Sequence, residues 1–313
     1  MLLQRTSKMS GQAASRMPEV IGSVQELRTR LARERHGSIG LVPTMGALHR
    51  GHEALIEACR RENDFIVTSI FVNPIQFDRT EDLKNYPRTW EADLRVCDRH
   101  SVDLVFAPSA ADIYPGEQLT FVESPLLSAN LCGAHRPGHF RGVATVVLKL
   151  FNIVQPDRAY FGEKDAQQLA IIRRMVNDLN IPVTIVPVAT VREADGLALS
   201  SRNKHLTPAQ RAIAPVLSRA LCCAAEMIGH GEMSGAVVRE NSMMLFGQHP
   251  EARLEYFAIV DPETLQPVEL ISGAVLIAAA MWLGSTRLID NVSAGKAGGQ
   301  KTAGSPDVPP AAA

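Results

Sequence analysis

The period of hydrophobic positions shifts repeatedly along the chain, and each shift marks an element. Ser38-Ile39-Gly40-Leu41-Val42 is short, apolar and β-branched, which predicts a strand, while residues 53–63 place Leu55, Ile56 and Cys59 on one face of a helix. Phe65-Ile66-Val67-Thr68-Ser69-Ile70-Phe71-Val72 is almost continuously apolar, as in a strand covered on both faces, and it stops at Asn73-Pro74. Residues 89–100 have helical spacing through Trp90, Leu94 and Cys97, and the next strand, Asp103-Leu104-Val105-Phe106-Ala107, closes at Pro108. A further short strand is expected over residues 119–123. Residues 140–154 predict a helix apolar around much of its circumference and so buried on several sides. Arg158-Ala159-Tyr160-Phe161 reads as a strand and Gly162-Glu163-Lys164 as a turn. Asp165 is then expected to cap a helix that reaches Asn180 and turns Leu169, Ile172, Met175 and Leu179 inward.

Repeated strand-helix alternation predicts an α/β fold with a doubly wound parallel sheet, whose ligands lie beyond the carboxyl ends of the strands. The corners at 43–52, 72–77 and 161–168 all fall there. From about Val191 the pattern changes. Thr207-Pro208 opens a helix as cap and first residue, and a second helix follows from about Ser234. Strand-like segments come after it at 256–260, 274–280 and 286–289, so a smaller α+β domain is expected. The expected organisation is a first domain over 18–190 and a second over 191–293 that closes over the site. Tails at 1–17 and 294–313, too poor in apolar residues to offset chain entropy, are expected to be disordered.

Composition narrows the partners. The chain has 313 residues and a formal net charge of -1, and no run of five like charges suggests an extended nucleic-acid or membrane surface. Small molecules are the expected ligands. The first residues carry Arg5, Lys8 and Arg16 without the apolar core of a signal peptide, and the sequence reads as free of apolar runs long enough to span a bilayer, so a cytoplasmic protein is expected. Cys59, Cys97, Cys132, Cys222 and Cys223 have no regular spacing and are expected as reduced thiols.

The candidate chemistry concentrates at the corners. Neither a G-x-G-x-x-G nor a G-x-x-x-x-G-K-[ST] pattern is present, so phosphate must be handled another way. Pro43-Thr44-Met45-Gly46-Ala47-Leu48-His49-Arg50-Gly51-His52 places two histidines on the first turn of a helix, beside backbone N–H groups that a helix start leaves without partners. A ring N–H there can donate to phosphate oxygens as charge builds on a leaving pyrophosphate. Phe161-Gly162-Glu163-Lys164-Asp165 supplies a point positive charge and an acid that could orient it or help hold Mg²⁺. Gly196-Leu197-Ala198-Leu199-Ser200-Ser201-Arg202-Asn203 adds hydroxyls and a guanidinium on a loop able to close over a nucleotide. Cys132-x-x-His135-x-x-x-His139 has metal-like spacing but only three ligands in a Gly/Pro-rich loop, and an ordinary loop with a histidine at the site edge is the favoured reading.

From about Pro18 to Val292 the sequence resembles the pantothenate synthetase (pantoate–β-alanine ligase) family of the H-x-G-H nucleotidyltransferases. The resemblance runs through the segments just quoted, Phe71-Val72-Asn73-Pro74-Ile75-Gln76-Phe77, Tyr86-Pro87-Arg88-Thr89, Arg136-Pro137-Gly138-His139-Phe140 and Gln167-Gln168. It implies a Rossmann-like domain and a two-step reaction with ATP, pantoate and β-alanine, assisted by Mg²⁺, in a homodimer. By matching positions, Met45, Gly46, Ala47, Leu48, His49, Arg50, Gly51 and His52 would line the ATP site, with His52 as proton donor. Gly162, Glu163, Lys164 and Asp165 would also contact ATP, with Lys164 at the phosphates, and Val191, Leu199, Ser200, Ser201 and Arg202 would close the other side. His49, His52 and Lys164 would be catalytic. Gln76 and Gln168 would bind pantoate, Gln76 also β-alanine, and Asp93 would be a Mg²⁺ ligand. Glutamine suits pantoate because one amide both donates and accepts. Two departures from the family pattern stand out: Arg50, where an acid is common, is expected to face solvent, and Ala166, where an aromatic is common, removes bulk beside the site. Two other readings compete: a related nucleotidyltransferase acting on a phosphorylated acceptor, against which the neutral Gln76 and Gln168 argue, and a non-catalytic nucleotide-binding protein, against which His49, His52, Lys164 and Arg202 argue.

Overall fold

The computed structural model describes residues 17–295. Within them the chain divides into two compact units, one running to Ala194 and taking in Ala198–Lys204, the other made of Asp195–Leu197 and the chain from His205 onward. The division thus falls later than the boundary at 190/191 read from the sequence, and Val191 and the 198–204 loop belong to the first unit. The tails expected to be disordered lie outside the described residues, apart from Met17, Ala294 and Gly295. Ala294 proves to end a strand, paired with Val275.

The first unit holds six strands, β1 (Glu19–Ile21), β2 (Ile39–Thr44), β3 (Phe65–Ile70), β4 (Leu104–Phe106), β5 (Arg158–Gly162) and β6 (Thr184–Val188), in the order β1-β4-β3-β2-β5-β6. Every pairing is parallel. Parallel neighbours need crossovers, and the longer helices supply them: α1 (Val24–Leu31), α2 (Arg50–Glu62), α3 (Trp90–Arg99), α4 (His139–Val154) and α5 (Ala166–Asp178). From β2 the chain winds outward through β3 and β4, whereas from β5 it winds the other way to β6. Adjacent β2 and β5 therefore form the switch point, and the crevice beyond their carboxyl ends is where such sheets place ligands.

Burial explains why the strands are so apolar. Ile39, Leu41, Val42, Ile66, Val67, Leu104 and Val105 are each 0% exposed, covered by helices on both faces. Burial also corrects several expectations. Trp90 and Leu179 sit at helix ends and are 41% and 51% exposed, while α3 buries Cys97 as expected, together with Asp93 and Val96. Residues 119–123 form no strand: Leu119 is 81% exposed, and the Val122 N–H is donated to the Thr145 hydroxyl rather than to a ladder. Asp165 makes no side-chain cap on α5, because a 3₁₀ turn at Glu163–Asp165 intervenes and its carboxylate pairs with Lys164. All five cysteines are free thiols.

In the second unit, β7 (Ala252–Val260), β8 (Val275–Leu283) and β9 (Thr286–Ala294) form an antiparallel sheet in that order. The helices α6 (Pro208–Ile213), α7 (Val216–Gly229) and α8 (Gly235–Met243) accompany it. Thr207 and Gln210 cap α6 reciprocally, and Ser234 caps α8. The segment Pro208–Gly229 has the length and mean hydropathy of a candidate membrane span, although Arg211, Arg219 and Glu226 interrupt any continuous apolar run. Its Leu217, Ala220, Leu221 and Ala224, however, are buried in a core shared with Val238, Phe257, Ile277 and Met281 of the same unit. Its apolar character is that of a core helix.

Candidate active site

At the first corner the chain leaves β2 through Thr44, whose hydroxyl donates to the Ser69 carbonyl at 2.7 Å and accepts from the Gly46 N–H at 3.1 Å. Gly46 and Ala47 then take positive φ of 78° and 51°. From α3 the carboxylate of Asp93, 2% exposed, accepts from the Ala47 N–H at 3.0 Å, the Leu48 N–H at 2.8 Å and the Thr89 hydroxyl at 3.0 Å. His49 is the N-cap of α2: its Nδ1 accepts from the Gly51 N–H at 3.1 Å, while its own N–H is donated to Nδ1 of His52 at 3.3 Å, with the two rings 4.2 Å apart.

Two expectations change here. The backbone N–H groups of Gly46, Ala47, Leu48, His49 and Gly51 are donated within the protein, so an anion at this corner meets imidazoles rather than a bare helix start. Asp93 does not fit the role of a Mg²⁺ ligand, since both of its oxygens are committed to the turn and it is sealed beneath it. Among the described residues no group of three or more His, Cys, Asp or Glu side chains is placed to hold a metal ion. With Nδ1 accepting in both rings, the ring proton of each neutral imidazole is on Nε2. Neutrality follows from burial, which lowers His49, helped by the nearby Lys164 and Lys204 charges, and takes His52 down to about 3, helped by His49.

The second corner follows β3. Asn73, 1% exposed, accepts from the Tyr114 hydroxyl at 2.7 Å and donates to Oε1 of Gln76 at 3.0 Å and to the Gly142 carbonyl at 3.2 Å. Gln76 thereby has its Oε1 committed, and its Nε2 points to Sδ of Met45 at 3.2 Å, joining this corner to the first. The Gln76 carbonyl accepts from Nδ1 of His139 at 2.8 Å, and Nε2 of His139 accepts from Arg136 at 3.1 Å, which in turn pairs with Asp78. Burial and the Arg136 charge lower His139 to about 4. With Cys132 buried, His135 exposed and His139 engaged in this chain, the three side chains serve different surroundings. Gly142 completes the support: a Cβ there would lie 2.4 Å from the Ile75 carbonyl oxygen, so only glycine lets α4 approach the turn that carries Gln76.

At the third corner, beyond β5, Nζ of Lys164 lies 3.5 Å from Asp165. Burial raises the Asp165 carboxyl, but Lys164 and Arg202 more than reverse this and hold it below the usual carboxylate range. Lys164 and Asp165 also act electrostatically on both His49 and His52, which brings the first and third corners together. Arg202 reaches Tyr86 in the same way, against burial that pushes the Tyr86 phenol up to about 12. Val191 and Leu199 pair through a Leu199 N–H donated to the Val191 carbonyl at 2.9 Å, the Ser200 hydroxyl accepts from the Arg202 N–H at 3.3 Å, and Asn203 ties the loop to Glu193 at 3.0 Å. Ser201 opens the 3₁₀ turn that contains Arg202. Gly162 ends β5 and Glu163 is exposed.

Adjacent glutamines in α5 separate cleanly. Gln167 is buried and bonded to the Leu127 and Asn130 carbonyls, both at 2.8 Å, whereas among the described residues the Gln168 amide has no hydrogen-bond partner. Arg50, at the first position of α2, is exposed. Sequence reasoning missed Asn73 as a site residue, although an asparagine between an apolar strand and a proline was its signal.

Sheets wound in this way hold nucleotides at the switch point, and neutral histidines set beside a lysine are suited to phosphate, so fold and site define an α/β enzyme of the nucleotide-binding class. The family model for pantoate-beta-alanine ligase matches residues 19–293, and the chain belongs to that family. It is 56% identical over 261 residues to the pantothenate synthetase of Moorella thermoacetica, covering 83% of this chain and 92% of that one. A solved pantothenate synthetase from Thermus thermophilus superposes with a TM-score of 0.83 at 51% identity, over 88% of this chain and 98% of the other. A pantoate-beta-alanine ligase from Francisella tularensis, solved with beta-gamma ATP and beta-alanine, has a TM-score of 0.71 at 34% identity, over 88% and 97%.

Proposed function

We propose that this protein is an ATP-dependent ligase that condenses pantoate with β-alanine to pantothenate through a pantoyl adenylate. In the first step a pantoate carboxylate oxygen attacks the α-phosphorus of ATP, forming the acyl–phosphate bond as the bond to pyrophosphate breaks. In the second the amine of β-alanine attacks the acyl carbon, and AMP leaves with the bonding pair as the nitrogen gives up its proton. A carboxylate is a weak nucleophile, so the enzyme's main task is to hold it in line with the phosphorus.

The observation that carries this reading is the 3.2 Å contact between Nε2 of Gln76 and Sδ of Met45, which puts an amide suited to a hydroxy acid against the turn that leads to the histidines. Gln76 and Gln168 bind pantoate, and Gln76 then faces β-alanine. Met45, Gly46, Ala47, Leu48, His49, Gly51 and His52 line one side of ATP, with Gly162, Glu163, Lys164 and Asp165 beyond β5 and Val191, Leu199, Ser200, Ser201 and Arg202 on the loop. His49 and His52 donate hydrogen bonds from Nε2 to the phosphates, and Lys164 offsets the charge that builds on pyrophosphate. Mg²⁺ would accompany the nucleotide and offset phosphate charge; Asp93, with its oxygens given to the turn, would not be the residue that holds it, and no step above depends on the ion. The protein acts in the cytoplasm as a homodimer.

The test is pantoate-dependent exchange of labelled pyrophosphate into ATP without β-alanine. Label entering ATP only when pantoate is present supports the adenylate, and folded protein without exchange overturns it. Light scattering of the purified protein tests the dimer.

A further inference from the structure

We propose that Asp93 is a positioning residue: by occupying the backbone N–H groups of Ala47 and Leu48, its carboxylate sets the turn from which His49 and His52 are presented. The inference rests on reading that corner as the phosphate side of the ligase site. Successive N–H groups in a turn of this kind form a concavity that binds an anion. In this protein the anion is one of its own side chains.

Three observations converge. Asp93 is 2% exposed, and a carboxylate so buried requires donors. It has three, the two N–H groups at 3.0 and 2.8 Å and the Thr89 hydroxyl at 3.0 Å. Ala47 has φ 51°, a left-handed conformation that strains a residue with a Cβ and persists only where its surroundings impose it. Finally, a Cβ on Gly46 would lie 3.0 Å from Oδ2 of Asp93, so the turn passes close over that oxygen. The acid acts through the histidines: the chain passes from Leu48 straight into His49, the cap of α2, so a slack turn misplaces both rings.

Asp93→Asn tests this at almost constant volume, because it sets an amide NH₂ against a backbone N–H. Amide hydrogen exchange at Ala47 and Leu48 is expected to quicken by about tenfold or more while the β2 amides keep their protection. In the pyrophosphate exchange assay kcat is expected to fall by about 10–100-fold, as misplaced catalytic groups produce, with the Mg²⁺ concentration for half-maximal rate within about twofold of wild type. Thr89→Val, which removes one donor and leaves the carboxylate, is expected to shift kcat in the same direction by a smaller factor. Unchanged amide exchange at Ala47 and Leu48, or a Mg²⁺ requirement raised about tenfold or more, would overturn the proposal, the latter in favour of a metal ligand. Wild-type protein inactive with pantoate would remove the ligase reading alone, since amide exchange still decides what Asp93 does to the turn.

Discussion

The backbone N–H of His49 is donated to Nδ1 of His52, so the second histidine of the motif caps the helix that the first one opens. The job usually done by a glutamate or glutamine side chain is done here by an imidazole. One nitrogen of each ring is committed to backbone, and the other is left as a donor. His52, taken down to about 3 by burial, therefore serves as a neutral hydrogen-bond donor at neutral pH. His52→Ala is expected to lower the exchange rate by on the order of 10²-fold, as loss of a preorganised donor does. His52→Gln, which retains a donor and an acceptor, is expected to recover part of the loss and to keep the pH profile of wild type between pH 5.5 and 8. A limb near 6.5 present in wild type and absent from the glutamine variant would show that His52 titrates.

The same burial makes stability depend on pH. The folded-state pKa values of His52 and His139 lie at about 3 and 4, below the ordinary 6.5 of the unfolded chain. Between those values and about 6.5 the unfolded state binds protons that the folded state does not, so their contribution is complete above 6.5 and is lost as pH falls. Thermal unfolding should show Tm falling progressively from pH 7 to pH 4.5. His139→Gln is expected to flatten that slope, even if its Tm at pH 7 is lower. Asp78 and Asp165, whose carboxyls are held low, add losses only below about pH 4. An equal slope in the variant would remove His139 from the account.

What could be read in the sequence followed from how strongly each local pattern constrains the chain. The runs that became β2, β3 and β5 are central strands covered on both faces, so apolar continuity marked them and the corners after them. β1 has three residues, and β6 carries Pro187, which an edge strand tolerates, so neither stood out. The two histidines and Lys164 were marked by their place at strand-end corners. Asp93 was expected as a Mg²⁺ ligand through the resemblance, but its role at the turn was not visible, because no spacing shows that a carboxylate turns back onto amides 46 and 45 residues away in sequence. Asn73 was hidden for the same reason, since its partners Tyr114 and Gly142 come from elements far along the chain.

Lys164 links the corner beyond β5 to the histidines, and its removal should be visible in both rate and titration. Its charge helps burial to lower His49 and, with Arg202, holds Asp165 below the ordinary carboxylate range. Lys164→Met keeps the length of the side chain and removes the charge. Turnover is expected to fall by about 10²-fold or more. In NMR titrations of the same variant the His49 pKa should rise toward 6.5 and that of Asp165 toward the ordinary value. Normal turnover with both titrations shifted would place the lysine near the site but outside the chemistry.

Gly142 offers a test of the proposed pantoate side that touches no reacting group. The α4 helix lies against the Pro74–Gln76 turn so closely that an added Cβ would stand 2.4 Å from the Ile75 carbonyl oxygen and 2.6 Å from Cα of Gln76. All of the nearest atoms are backbone, so no side chain can rotate out of the way and the turn itself must shift. The Gly142 carbonyl also holds Asn73, which orients the Gln76 amide. Gly142→Ala is therefore expected to destabilise the protein by about 1–3 kcal/mol, the usual cost of overpacking. In the folded fraction KM for pantoate should rise about tenfold or more while KM for ATP changes by less than about threefold, because the histidine corner is built on β2 and α2. Parallel rises in both constants would mean that the Gln76 turn does not act on pantoate separately from the nucleotide.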